Sequence, residues 1–145
     1  MIHPDFSWEP APHTADLAIK ISASSEVGLF HAGLAGLLGL LDFDTEIKNE
    51  ETPGTYQFSL HGNEIEDLLV DFLTESIYIM EVHSLIPIRI KSIQLNVNSA
   101  EGELETRVVR DFDRPEVGHI KAATYHDLEV IEIDGKFEAR IVFDT

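Results

Sequence analysis

Acids and histidines stand where two strand-like stretches begin and end. Near the start, HTAD sets His13 and Asp16 directly before the alternating run LAIKIS. At the other end, ARIVFDT carries a strand pattern through to Asp144 and Thr145. A strand held to its end brings Asp144 and the terminal carboxylate together, and Asp16 joins them if the two strands are neighbours. Converging carboxylates repel one another unless protonation or a cation relieves them. A hard divalent ion, Mg²⁺, Ca²⁺ or Mn²⁺ in preference to zinc, suits such oxygen ligands. His13 would add a nitrogen or hydrogen-bond a ligating carboxylate. Two plainer readings stay open: the Asp or Thr of HTAD satisfying backbone groups at a turn, and a solvated chain end. Spacing does not join segments so far apart in sequence.

The elements that must position these groups follow from periodicity. Residues 16–22 alternate with period two, as a strand does. SSEVGLFHAGLAGLLGLL then predicts a helix capped by Ser24 or Ser25 and running to about Leu41. Its glycines each cost roughly 1 kcal/mol against alanine, so this helix needs tertiary support, and small residues let it lie close against a sheet. DFDTEIKNEETPG reads as a surface connection, and a strand is expected at about 55–61. The next helix opens with Asn63 as N-cap and Glu66 completing the capping-box spacing. Ile65, Leu68, Leu69, Phe72, Leu73, Ile77 and Met80 form its apolar stripe. Asp67, Asp71 and Glu75 recur every four residues, a row expected to be a solvated face. Beyond Pro87 come strand-like stretches, and Asp134-Gly135 predicts a two-residue hairpin between the last two. With no linker, repeat or low-complexity tract, the expectation is one α+β domain over residues 1–145, two main helices packed on a largely antiparallel or mixed sheet.

Composition limits the function. The length, 145 residues, suits one domain with its own core. No apolar run reaches a membrane-spanning length, the N-terminus lacks the features of a secretion signal, and cysteine is absent. An intracellular, cytoplasmic protein without disulfides, thiolate zinc sites or a cysteine nucleophile is expected. Ten Lys and Arg stand against twenty-seven Asp and Glu, a formal charge of −17. Nucleic-acid binding rests on basic side chains neutralising phosphates, so direct binding is a poor expectation. Divalent cations and basic proteins are better partners, and solubility alone is the bland alternative.

PHTADLAIKI, LLVDFLTESIYIM, EGE followed by HIKAATYHDLEV, and ARIVFDT occur in this order over nearly the whole chain. Together they resemble the archease family. The resemblance implies a protein cofactor rather than an independent enzyme: an activator of the RtcB-type RNA ligase of tRNA splicing, promoting its manganese-dependent guanylylation and repeated turnover. It also implies a metal site at Asp16 and Asp144, with Thr145 at the family's last position. His13, Glu75, Glu103, Lys121 and His126 match further positions with supporting or partner-activating roles. Glu75, Glu103, Lys121 and His126 also read as ordinary surface or strand residues. Thr145 replaces a customary Ile or Leu, and RDFDRP stands where many members have an Arg-His pair. The rivals are a chaperone-like module for a tRNA methyltransferase and a small metal-dependent hydrolase using His13 or His126 as base.

Overall fold

The computed structural model describes residues 5–12, 17–113 and 120–145. Its strands are β1 (Phe6–Ala11), β2 (Leu17–Ala23), β3 (Gly54–His61), β4 (Leu85–Leu95), β5 (Ser99–Val108), β6 (Ala122–Ala123), β7 (Ile131–Ile133) and β8 (Lys136–Asp144). Its helices are α1 (Glu26–Leu41) and α2 (Ile65–Val82). The α+β class, the antiparallel pairing and the two helices agree with the sequence reading, and the strands divide between two sheets. One runs β1-β2-β8-β6, with β7 also on β8; the other runs β3-β5-β4.

Helix α1 is the apolar one, and it survives its glycines because the sheet needs them. Ser25 caps it, its hydroxyl accepting from the Gly28 amide at 3.1 Å. A left-handed Asp42 ends it. A side chain at Gly36 would meet Ile19, and one at Gly39 would enter the Trp8 ring. The helix thus lies close on β1 and β2, most tightly at Gly39, where the Trp8 ring fills the space a side chain would need. Gly33 faces Leu73 of α2, and Phe72 of α2 meets both Phe30 of α1 and Phe58 of β3 edge-on. Inward residues of both sheets and both helices form one core, with Ile19, Leu37, Leu69, Ile86, Leu104 and Phe143 nearly or fully buried.

Several boundaries differ from expectation. β1 was not anticipated: FSWEPA contains a proline, lies on the sheet edge and is largely exposed. The cap of α2 is Glu64 rather than Asn63, and the reciprocal acid is Asp67, accepting from the amides of Asn63 and Glu64 at 2.9 and 3.0 Å. β4 begins at Leu85, before Pro87. HDLEVIEI yields a strand only over Ile131–Ile133. The hairpin is as expected, Ile133 pairing Lys136 across Asp134 and Gly135, both at positive φ.

Candidate functional site at the end of the terminal strand

β2 and β8 pair antiparallel with Leu17 opposite Phe143. The chain therefore enters β2 within about one residue of the level of Asp144. His13 and Asp16 themselves lie outside the described residues. On its other edge β8 carries β6, with Ala122 opposite Asp144. The Lys121 amide donates to the Asp144 carbonyl at 2.8 Å, and the Thr124 amide and hydroxyl both reach the Val142 carbonyl, at 2.9 and 3.0 Å. Two neighbours thus hold the last strand in place at Asp144. Asp144, Thr145 and Lys121 are exposed.

The segment after β6 is also fastened to α2. The Val130 amide donates to Glu66 at 2.9 Å. Tyr125 faces Asp67 and Asp71; burial first, then the charges of Asp71 and Asp67, push its hydroxyl's pKa up. Asp71 is raised as well, by burial and then by Asp67. Tyr125 was not singled out from sequence, although it sits within KAATYH. His126 occupies an exposed turn, its Nε2 3.2 Å from Asp127.

The row Asp67, Asp71, Glu75 is not a uniformly solvated face. Asp67 caps the helix, Asp71 is half-buried beside Tyr125, and Glu75 accepts from the Tyr56 hydroxyl of β3 at 2.6 Å. That hydrogen bond, then burial and the charge of Glu75, push Tyr56 up to about 12. Glu103 lies in the other sheet, opposite Gln57 of β3 and Ser92 of β4. The structure thus brings Lys121 next to Asp144, and sets Glu75 and Glu103 against other elements.

The chemistry of the strand end suits a hard cation: Asp144 supplies carboxylate oxygen, and no carboxylate-neutralising ion pair is made by it among the described residues. Nor do those residues alone gather three or more His, Asp or Glu side chains around one ion position. A site here needs the donors of the HTAD segment.

Arg110 and Asp113 of RDFDRP take part in a separate cluster that the sequence reading missed. Arg107, 1 % exposed, forms a fork on Asp113 at 2.8 and 3.0 Å and donates to the Asp44 carbonyl at 3.0 Å. Arg110 grips Glu51 at 2.6 and 2.8 Å and reaches Asp44 at 3.3 Å. Burial alone would raise Asp113, but the Arg107 hydrogen bonds and charge outweigh it and hold the pKa low. Asp44 falls to about 2, chiefly through the Glu46 amide and then Lys48; Glu51 falls to about 2, chiefly through Arg110. The connection after α1 is therefore pinned to the end of β5.

Residues 8–145 match the Archease protein family (MTH1598/TM1083). The chain is 27 % identical to Protein archease of Pyrococcus abyssi over 144 residues, covering 94 % of this chain and 97 % of that one. It is 28 % identical to Protein archease of Methanopyrus kandleri, over 94 % and 98 % of the two chains. Among solved structures, an archease from Thermotoga maritima described as a possible chaperone superposes with a TM-score of 0.65 at 24 % identity, over 94 % and 96 % of the chains. Protein 1598 of Methanobacterium thermoautotrophicum gives 0.74 at 17 % identity, over 95 % and 98 %. These two likenesses concern the fold.

Proposed function

The chain belongs to the archease family, and from that membership we propose that it is a protein cofactor of an RtcB-type RNA ligase. On this reading it promotes the ligase's metal-dependent guanylylation and its repeated turnover in tRNA splicing, with no reaction of its own. The observation that carries the proposal is the pairing of Leu17 with Phe143, which supports a common carboxylate site for the end of HTAD and the end of β8.

Asp16 and Asp144 would hold a divalent cation (Mg²⁺, Ca²⁺ or Mn²⁺), with Thr145 at the same strand end and His13 orienting a carboxylate. Such an ion supplies neutralisation of phosphate charge and alignment of groups for phosphoryl transfer. The chain's own contribution is positional. β2 and β6 fix the level of Asp144, the Lys121 amide bond to the Asp144 carbonyl sets Lys121 beside it, and the net charge of −17 steers a basic partner surface. Lys121 and His126 are exposed. Glu75 and Glu103 would act at most on the partner's approach, since they face other elements.

Single-turnover guanylylation of the cognate ligase tests this. Wild type should accelerate it, whereas folded Asp16→Ala and Asp144→Ala should lose the acceleration. Equal stimulation by both variants would reject these acids as the functional centre.

The Thermotoga protein's description as a possible chaperone supports a second reading, a binding module for a tRNA-modifying enzyme such as a methyltransferase. Titration of the purified protein against ligase and methyltransferase separates the two: saturable binding to the methyltransferase alone favours the second.

A further inference from the structure

A cavity of about 410 Å³ opens on the sheet formed by β1, β2 and β8, away from Asp144 along the last strand. Its size is in the range of small-molecule sites, roughly 300–1,000 Å³. Lys20 and Arg140 line it, and they stand directly opposite each other in the β2–β8 ladder. Like charges so placed destabilise a sheet. In a chain with ten basic residues against twenty-seven acids, this pair is offset on one side by Glu9, which stands opposite Lys20 in the β1–β2 ladder. Arg89, Arg107 and Arg110 each hold a carboxylate. Lys20 and Arg140 are joined to none among the described residues, and the Arg140 Nε is buried with no hydrogen-bond partner.

The rest of the lining narrows the ligand. Glu9, Asp127, Glu129 and Glu138 also line the cavity and disfavour a simple anion. A simple cation meets Lys20 and Arg140. Pro10, Pro12 and Ile131 give apolar walls. The space exists because the chain leaves the β8 edge between β6 and β7, carrying Asp127 and Glu129 past it. We propose that this cavity binds a small zwitterion of the free α-amino-acid class. Its carboxylate lies against Arg140 and Lys20, its ammonium against the acidic border, and its side chain against the prolines and Ile131. This binding is separate from the strand-end carboxylates.

Backbone-amide NMR titrations of the full chain with leucine, phenylalanine and glutamine test it, alongside isocaproate, which lacks the ammonium, and isoamylamine, which lacks the carboxylate. Saturable shifts at Lys20, Ile131 and Arg140 are expected with at least one amino acid. Both single-charge analogues should bind at least about tenfold more weakly than leucine, as should leucine to Arg140→Gln, the scale of one lost charge-assisted bond. Lys20→Gln, at an exposed position, provides a second variant, and an unchanged spectrum elsewhere establishes that each variant folds. Isocaproate or isoamylamine binding as well as leucine would overturn the zwitterion assignment. Unmoved resonances at these residues with all three amino acids would overturn the site.

Discussion

The end of β5 and the end of β8 are both rich in carboxylates, and they treat them in opposite ways. At the β5 end, Asp113, Asp44 and Glu51 are neutralised by Arg107 and Arg110, with the Arg107–Asp113 side chains 0 % and 6 % exposed. At the β8 end, the described residues hold Asp144 through its backbone, and its side chain is exposed. Where acids are matched by guanidinium groups, they secure a connection. Where the backbone is fixed and the acid meets no cation among the described residues, its oxygens can meet an external one. In the sequence the stretch with Asp44 and Glu51 reads as a surface connection and the end of β8 as a candidate metal site; the position of the arginines separates them.

The largest expected effect is at the paired end. Asp113→Ala leaves Arg107 buried without its carboxylate and should cost about 3–5 kcal/mol in denaturant unfolding. Arg107→Met combined with Asp113→Leu should recover much of that loss, because an apolar pair carries no desolvation penalty. A cost below about 1 kcal/mol for Asp113→Ala would mean that this cluster does not secure the fold.

Tyr56→Phe removes the donor to half-buried Glu75 and should cost about 1 kcal/mol. Tyr56 has a folded pKa raised to about 12 from 10.0. Its contribution is therefore complete below pH 10 and fades as pH rises through 12. Wild type should lose stability more steeply than Tyr56→Phe over that interval, as thermal melts at stepped pH would show.

Asp44 and Glu51 give the opposite sign. Their folded pKa values of about 2 lie below the ordinary 3.8 and 4.5, so their contribution is present above the ordinary values and fades as pH falls towards 2. Arg110→Gln should flatten this acid limb, and an unchanged slope would show that the surface pairs are screened out. The smallest effect belongs to the unpaired end. Asp144→Asn should alter stability by less than about 0.5 kcal/mol, since it makes no ion pair among the described residues.

Elements with a strong apolar period were legible in the sequence: β2, α1 and the stripe of α2 follow it closely, and Asp134-Gly135 announced its hairpin. β1 was not legible, because an edge strand with Pro10 and little burial has no period to show. The cap of α2 shifted by one residue because Asn63, Glu64, Glu66 and Asp67 offer two overlapping capping patterns. The Arg107–Asp113–Arg110–Glu51 cluster was hidden for another reason. The Arg110–Glu51 contact spans 59 residues, and no local pattern records it. At the candidate site, the acids could be nominated by type and by family resemblance. The neighbouring position of Lys121 and the tie of the following segment to α2 through Val130 and Glu66 needed the β6–β8 ladder and the face of α2.

Calorimetric titration with Mn²⁺, Mg²⁺ and Ca²⁺ examines the strand-end centre most directly. Wild type should take up one equivalent of at least one of these ions, and Asp16→Asn and Asp144→Asn should each abolish that uptake while unfolding at the wild-type temperature. Undiminished uptake by both folded variants, or no uptake by wild type, would contradict the account.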